Sequence, residues 1–322
     1  MRMPLVCLLF LLVLVSGCVR QFAGDGQGLQ PDEPTRYITI EPEKTQINQT
    51  NTTLMFAPNI RWGEMPIRVW IDEGSGKNAK YWNDDVVPLV KDALSEWEDA
   101  SGNLISFQVV PEKENAQLII NFTNVKLEDL EYLGLGGPTR CYTGKSTYIS
   151  EGFVMITIQD RMQPNIPCIT KGIAVHEIGH ALGFEHSDRP GSAMYMYVTC
   201  SQVIDKPIVD TLQRLYSTPA LPDLEITRGE INAAQNYFNV NVNVTNTGLS
   251  TSGNVTVAFV DDADGKELYR MTSAPLSPCY SLMLKYVNIR MPASGKLRIT
   301  VDPDNRINEL SEDNNRIVVD LE

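Results

Sequence analysis

The chain of 322 residues carries 40 acidic and 27 basic side chains, a formal net charge of −13 at pH 7. Because an acidic chain repels a phosphate backbone, this composition argues against a nucleic-acid partner and favours a protein or peptide partner. The same charge also serves solubility. Histidine is rare: the whole chain has three, and all of them lie within eleven residues.

Residues 1–18 have the features of a secretion signal. Arg2 supplies a positive start, and Leu5–Val15 is an unbroken apolar run of 11 residues, which is short for a bilayer span. The run leads into Ser16-Gly17-Cys18, which resembles a prokaryotic lipobox. We therefore expect lipidation at Cys18, attachment to the cell membrane and an extracytoplasmic location. The alternative is secretion after cleavage at small residues, with Cys18 incidental.

Residues 19–54 are rich in Gln, Gly, Pro, Asn and Thr and contain few large apolar side chains. Such a segment has little apolar surface to bury, so we predict a flexible tether. A short pro-segment is the alternative. It contains no cysteine, so it has no thiolate with which to block a metal.

Residues 55–218 combine helical and strand patterns. Apolar side chains recur at helical spacing between Asp84 and Ala100, which predicts an amphipathic helix with Asn83 or Asp84 as its N-cap. Short strands are predicted at Ile105–Val110, Gln117–Phe122 and Val154–Ile158.

The strongest signal is the string H-E-I-G-H-A-L-G-F-E-H from His176 to His186. His176 and His180 are four residues apart, so on a helix both imidazoles face one point. Gly183 can adopt a positive φ and end the helix, after which the chain can bring His186 to the same point. Three imidazoles suit Zn²⁺ and leave a fourth position for water, which is the arrangement of a catalytic zinc site.

Glu177 adjoins the first histidine and can reach a water at that fourth position. We predict that it is the general base, which accepts the proton of the water attacking a scissile carbonyl and passes it to the leaving amine. One alternative is a structural zinc site, but such sites usually have four protein ligands, and neither Cys168 nor Cys200 has a C-x-x-C partner. The other is a surface adhesion protein with an inactive zinc domain, which would have no need of Glu177.

The extended histidine motif resembles that of the metzincin zinc endopeptidases. Ser192-Ala193-Met194-Tyr195 is similar to the Met-turn of that clan, in which Met194 would form an apolar floor below the ligands; the alternative is an ordinary core methionine. Ser187, directly after the third histidine, is similar to the matrixin group. Met196 stands where astacins carry a metal-binding tyrosine, which disfavours that group.

The matrixin resemblance covers about residues 55–217. Trp62 and Pro66–Ile71 are similar to the first strand of the matrixin catalytic domain, and Pro207–Tyr216 to its closing helix. The resemblance implies an α+β fold with a twisted mixed sheet, a zinc helix and a closing helix. It also implies that a substrate binds as an extended strand along a sheet edge, within Gly134–Ser150. The usual proline after Met-Tyr is absent, and with no further histidines the chain resembles a member with a single zinc.

The pattern changes after Pro219-Ala220-Leu221-Pro222, which marks a domain boundary. Period-two alternation, as in Val240–Val244, predicts an antiparallel β-sandwich over residues 221–322. Asp264-Gly265 predicts a hairpin turn, and its acidic neighbours Asp261-Asp262 allow either a solvated turn or a calcium loop.

This C-terminal region resembles the CARDB family, an Ig-like module of bacterial and archaeal surface proteins. The resemblance rests on V-N-V-T-N-T-G at residues 242–248 and on V-D-P-D-N-R-I-N-E-L-S-E-D-N-N at residues 301–315. It implies a spacer or binding module rather than a second centre of chemistry.

Four cysteines follow the predicted anchor residue. An exported compartment permits disulfides, and the pairing we favour is Cys141–Cys168 with Cys200–Cys279; free buried thiols are the alternative. Sequons for N-glycosylation occur at Asn48, Asn51, Asn121, Asn243 and Asn254.

Overall fold

A computed structural model of the chain describes residues 36–40, 60–77, 82, 84–123, 133–142, 147–158, 166–234 and 236–321. The predicted signal, the predicted anchor Cys18 and the sequons at Asn48 and Asn51 lie outside the described residues. Within the described ranges, no helix combines the length and the hydrophobicity that a membrane crossing requires.

The first strand, β1 (Arg36–Ile40), belongs to a sheet of the C-terminal half, and the described residues between 60 and 218 form a mixed sheet with helices packed on it. The strands of this sheet are β2 (Ile60–Trp62), β3 (Ile67–Ile71), β4 (Phe107–Val109), β5 (Leu118–Thr123), β6 (Gly134–Tyr142) and β7 (Thr147–Thr157). The helices are α1 (Glu73–Gly76), α2 (Val86–Ser101), α3 (Ile166–Ala181) and α4 (Lys206–Tyr216).

The sheet order is β2-β7-β5-β3-β4 with parallel neighbours, and β6 pairs antiparallel with β7. A parallel sheet needs apolar cover, and helices α2 and α3 contribute their buried side chains to the same hydrophobic core as the strands. The Trp97 ring of α2 stacks on Phe184, and its indole N–H donates to the Val175 carbonyl at 2.9 Å. The predicted α+β fold with a mixed sheet is confirmed.

Helix α2 confirms the predicted amphipathic helix. Its buried side chains, including Val90, Leu94 and Trp97, recur every three or four residues. It ends at Gly102, whose φ of 65° lets its N–H turn back to the Asp99 carbonyl. Its N-cap is Asp85, so the predicted caps were wrong by one or two positions, and the Asp85 side chain makes no capping hydrogen bond.

Strand β7 is longer than the predicted strand at 154–158. Its first residues pair with β2, its last six pair with β5, and β6 pairs along nearly all of it. Gly152 breaks the apolar pattern in the middle, because a Cβ there would lie 3.2 Å from the Trp62 ring. The sequence therefore predicted only the apolar second half of this strand.

The C-terminal region is an antiparallel β-sandwich, as predicted. Its sheets have the orders β1-β8-β9-β12 and β11-β10-β13-β14, and their apolar faces share one core. The predicted turn at Asp264-Gly265 is present, with a φ of 73° at the glycine. The strands are β8 (Leu224–Ala233), β9 (Tyr237–Asn246), β10 (Asn254–Asp261), β11 (Glu267–Pro275), β12 (Ser281–Arg290), β13 (Lys296–Val301) and β14 (Arg316–Asp320).

Strand β1 comes from the segment predicted as a tether. Residues Arg36–Ile40 pair antiparallel with Ala233–Gly229 of β8, so the chain contributes a strand to the sandwich before it forms the mixed sheet. The residues from 60 to 218 are thus inserted between two hydrogen-bonded neighbours of one sheet. A five-residue strand in a polar segment is too short for its alternation to stand out in the sequence.

Candidate metal centre

The three histidines of the motif meet at one point. Helix α3 carries His176 and His180, and the chain leaves the helix at Gly183, which has the predicted positive φ, 101°. The Gly183 N–H donates to the His180 carbonyl at 2.9 Å, and the turn brings His186 back beside the helix. One nitrogen from each of the three imidazoles lies within 4.8 Å of the other two. Among the described residues, no other group of three histidine, cysteine or acidic side chains is arranged to hold a metal.

Backbone carbonyls fix the orientation of two imidazoles. His176 Nδ1 lies 2.7 Å from the Ala193 carbonyl, and His180 Nδ1 lies 2.7 Å from the Phe184 carbonyl. A carbonyl only accepts hydrogen bonds, so each Nδ1 carries the proton and each Nε2 carries a lone pair. The two Nε2 atoms face each other at 3.1 Å. Two acceptors at that distance repel unless a cation lies between them, so the donor set fits a metal ion.

Burial keeps these imidazoles neutral. Burial and, to a smaller extent, the neighbouring His180 lower the pKa of His176 to about 4, and burial also lowers the pKa of His180. A neutral imidazole is the form that binds a metal. His186 is exposed, so the centre is open on that side. A chemistry that needs substrate access is therefore compatible with the site.

Glu177 is buried on α3 beside the first histidine, with 6 % of its surface exposed. Burial raises the pKa of its carboxyl to about 8, and a hydrogen bond from the Gly136 N–H opposes that shift. A cation at the histidines would favour the carboxylate and lower this pKa. The Glu177 side chain is therefore held in a water-poor environment, where a proton acceptor is effective.

Strand β6 packs closely against helix α3 at Glu177, and two glycines of the strand permit this contact. A Cβ on Gly134 would lie 2.5 Å from Glu177 Oε1, and a Cβ on Gly136 would lie 2.2 Å from the Glu177 carbonyl oxygen. Only glycine permits this approach, since both distances are far below van der Waals contact. Among the described strands β6 pairs only with β7, so its other edge is open. The predicted edge strand within 134–150 thus corresponds to Gly134–Tyr142.

Met194 is fully buried below the two helical histidines. A Cβ on Gly179, which lies between them in the chain, would meet the Met194 sulfur at 2.3 Å. The Met194 carbonyl accepts the Ser187 N–H at 2.6 Å, which ties this turn to the residue after His186. The thioether therefore fills the space that an ordinary side chain at Gly179 would take, and the Met-turn role of Met194 stays a prediction.

A group of polar contacts supports this turn, and no sequence motif predicted it. Asp205, at the start of α4, accepts a hydrogen bond from Arg189 Nε at 2.7 Å and another from the Ser192 hydroxyl at 3.2 Å. The Ala193 N–H donates to the Val203 carbonyl at 2.7 Å, so the carbonyl that orients His176 is itself held. These contacts join residues far apart in the sequence, and no motif records them.

The predicted cysteine pairing is wrong. Cys168, in the first turn of α3, is bonded to Cys200, in the loop after Met194, with Cα atoms 5.5 Å apart. Since one cysteine forms one disulfide, both predicted pairs are excluded. Cys279 is also disulfide-bonded.

The acidic turn of the sandwich uses its carboxylates internally. Asp261 accepts from the Ser294 hydroxyl and N–H, Asp262 pairs with Arg298 at 3.2 Å, and Asp264 accepts the Lys266 N–H at 2.9 Å. Nothing in these contacts supports the calcium alternative.

Comparison with known families places two domains on the chain. Residues 74–217 match the matrixin family of peptidases, and residues 221–319 match the CARDB family. Among curated proteins, none matches the chain.

Two solved structures resemble the C-terminal region. One is the CARDB domain of a Pyrococcus furiosus protein in complex with di-metal ions, with 21% identity, a TM-score of 0.24, and 31% of this chain and 87% of that chain covered. The other is a domain of a Methanosarcina acetivorans protein, with 20% identity, a TM-score of 0.25, and 31% and 89% covered.

Proposed function

With residues 74–217 in the matrixin family and residues 221–319 in the CARDB family, we propose that this chain is a zinc-dependent endopeptidase of the cell surface. A matrixin domain indicates metallopeptidase activity and a CARDB domain indicates a surface location. The observation that carries the proposal is the meeting of three imidazoles beside a buried glutamate. His176, His180 and His186 are the proposed ligands.

Zn²⁺ held by these imidazoles would supply a Lewis acid and make a nucleophilic water available near neutral pH. Glu177 has no role in holding the metal in this proposal, because three histidines already complete the usual catalytic set. Its carboxylate accepts the proton that the water loses as it attacks the peptide carbonyl. It then donates that proton to the amine nitrogen as the peptide bond breaks, so the glutamate ends each cycle ionised.

Strand β6 is the proposed docking edge for the substrate. Among the described strands its outer edge has no partner, so backbone N–H and carbonyl groups there can pair with an extended peptide that adds as a further strand. Because Gly134 and Gly136 bring this strand onto α3 at Glu177, a peptide on its edge would pass close to the carboxylate. Main-chain pairing of this kind accepts many sequences, so side-chain selection must come from elsewhere in the site.

The proposal includes membrane attachment through a lipid on Cys18, and the N-terminal apolar run that precedes this cysteine supports it. A lipid anchor contributes roughly 0.8 kcal/mol for each buried CH₂, and several chains on one cysteine would hold the protein firmly. Cys18→Ala should release the protein from membranes or leave its signal uncleaved. Unchanged processing with unchanged detergent partitioning would instead support simple secretion.

The alternative function is a surface adhesion protein whose metal domain is inactive, and the CARDB domain is the observation that favours it. Cleavage of a mixed peptide library separates the two. The purified protein should cut peptides, lose that activity in a chelator and regain it with Zn²⁺. Zinc binding without cleavage of any peptide would favour the adhesion function.

A further inference from the structure

A loop of the sandwich, residues 246–249, contacts the domain that carries the three histidines, called the metal domain below. The contact is at Gly63, the residue after β2: a Cβ there would lie 2.1 Å from the Leu249 carbonyl oxygen and 2.3 Å from the ring of Tyr148 in β7. Leu249 and Tyr148 are 4% and 7% exposed, yet the described hydrophobic cores of the two domains include neither side chain. Their burial outside both cores indicates that the contact between the domains covers them. Residues 246–249 are called the docking loop.

The docking loop is held firmly within the sandwich. Asn246 is fully buried, and its side-chain oxygen accepts two backbone N–H groups while its side-chain nitrogen donates to two backbone carbonyls. The Thr247 and Leu249 N–H groups donate to the Asp223 and Leu221 carbonyls at 2.7 and 2.8 Å. The loop is therefore tied to the segment that connects the two domains, and it resists displacement by the metal domain.

Strand β2 links this contact to the metal centre. Trp62 Nε1 donates at 3.1 Å to the carbonyl of Ala181, the last residue of α3. Ile60 packs on the turn that follows the helix, since a Cβ on Gly183 would lie 3.0 Å from Ile60 Cγ2. Both contacts lie between the second and third histidines, so β2 supports the turn that sets the spacing of these two proposed ligands.

The sheet alone gives β2 little support. Among the described strands it pairs only with β7, over three residues. A second support lies at the domain boundary, where Arg61 Nη1 donates to the Leu215 and Thr218 carbonyls, at 2.8 Å each, at the end of α4. The position of β2 therefore depends on the closing helix and on the docking loop as well as on its sheet.

We propose that the docking loop of the sandwich is a positioning element of the metal centre, acting through β2 on the turn between His180 and His186. The loop blocks movement of β2 at Gly63, and β2 in turn holds the end of α3. The inference rests on the proposed metal centre, and it goes beyond the proposed function because it gives the CARDB domain a part in holding the ligands. Ligands that are held before the metal arrives lose less freedom when it binds, so they bind it more tightly.

Reciprocity supplies a test that needs no substitution. If docking of the loop favours metal binding, then metal binding must favour docking by the same factor. Loading the purified metal-free protein with Zn²⁺ should therefore slow hydrogen exchange of the Thr247 and Leu249 amides by about fivefold or more, the lower end of ordinary coupling between two sites. The Asp262 amide, which donates to the Lys296 carbonyl at the other end of β10 from the docking loop, should be unaffected.

Two glycine substitutions disturb the contact from opposite sides. Gly248→Ala would place a Cβ 2.4–2.5 Å from backbone atoms of residues 221–223, which belong to the connecting segment. Gly63→Ala would place a Cβ against the docking loop. Gly253→Ala, in the same connection between β9 and β10 as Gly248, is the matched control, because its Cβ would lie 3.5 Å from Ile307, an ordinary contact. None of the three glycines has a positive φ that alanine would resist.

Co²⁺ bound in place of Zn²⁺ reports on the ligands directly. Its visible absorption depends on coordination geometry, so displaced ligands change the spectrum, whereas a loss of stability alone does not. Gly248→Ala and Gly63→Ala should alter the spectrum and weaken zinc affinity about fivefold or more, measured against a competing chelator, while Gly253→Ala should match the wild type. In the metal-free proteins, the Gly183 amide, which donates to the His180 carbonyl, should exchange faster in the same two variants.

The outcomes separate this inference from the proposed function. Equal exchange of the docking-loop amides with and without Zn²⁺, or a wild-type Co²⁺ spectrum in both Gly248→Ala and Gly63→Ala, would overturn the positioning role. If these variants do not fold, the exchange of the wild type still decides. A wild type that binds metal and cleaves no peptide would overturn the peptidase function alone. If the wild type binds no metal, the metal centre fails, and equal exchange of the Gly183 amide in Gly248→Ala and Gly253→Ala would show that the loop does not hold the turn.

Discussion

Replacing Gly136 by alanine should impair catalysis without removing the metal. The new Cβ would lie 2.2 Å from the Glu177 carbonyl oxygen, and it would also meet the carbonyl carbon and Cα of Glu177 at 2.9 and 3.0 Å. All three atoms belong to helix backbone, which cannot rotate away. Because ordinary contacts are about 3.5 Å, strand β6 must move by about 1 Å away from α3.

The magnitude follows from that displacement. Forcing a methyl group into a filled contact costs about 1–3 kcal/mol of stability. The hydrogen bond from the Gly136 N–H to the Glu177 carboxylate would lengthen by a similar distance, and a catalytic group misplaced by about 1 Å can lose about 10²-fold in rate. We therefore expect kcat/KM to fall roughly 10- to 100-fold while zinc content stays unchanged.

Gly137→Ala is the matched control. Its Cβ would lie 3.5 Å from the Phe153 ring, an ordinary contact, and neither glycine has a positive φ that alanine would resist. Peptide cleavage, metal analysis and thermal unfolding should be measured on both variants. If Gly136→Ala is as active and as stable as Gly137→Ala, strand β6 does not lie against Glu177 as described.

The other predictions concern the metal, the sandwich core and the N-terminal strand. His180→Ala should lower bound zinc from about one per chain to far below one in metal analysis, and undiminished zinc would contradict its role as a ligand. Burial raises the pKa of Glu309 to about 7 from 4.5, with Glu312 and Asp302 adding to the shift, so wild-type stability should fall as pH rises from about 4.5 to 7. In the wild type, the free energy of unfolding in urea should be about 1–3 kcal/mol lower at pH 8 than at pH 5, and Glu309→Gln should lack this decrease. The same pH dependence in both proteins would contradict the prediction. A chain that begins at residue 41 lacks β1 and exposes the edge of β8, so its sandwich should unfold at a lower temperature and associate more readily; an unchanged melting temperature and monomer fraction would argue against the β1 pairing.

The sequence predicted the parts of the site that depend on local spacing. His176 and His180 are one helical turn apart, and Gly183 ends the helix because its φ is positive, so neither needs information from distant parts of the chain. The predicted Met-turn role of Met194 rests on a family resemblance rather than on any physical pattern. The alternation of apolar and polar residues along β9 likewise predicted a half-buried strand.

Local sequence patterns could not predict contacts between residues that are distant in the chain. Nothing local to Cys168 distinguishes Cys200 from Cys141 as a partner, and the pairing depends on how the loop after Met194 folds back on α3. The Gln202 side chain likewise hydrogen-bonds the Thr199 N–H and the Tyr197 and Pro190 carbonyls, and only the fold brings those three groups within its reach. Position 136 requires glycine because strand β6 packs closely against helix α3 there, and the composition of β6 does not predict this contact.

The role of Glu177 as the general base is tested by Glu177→Gln, with the exposed Glu151 of β7 changed to Gln as the control. Glutamine keeps the size of the side chain and can still accept the Gly136 N–H, but it cannot take a proton from water. Peptide turnover and zinc content should be measured together on the same preparations. Zinc content should stay unchanged in both variants, and turnover should fall roughly 10²–10⁴-fold in Glu177→Gln only. Turnover equal to that of the wild type would show that Glu177 is not the general base, and it would contradict the proposed mechanism.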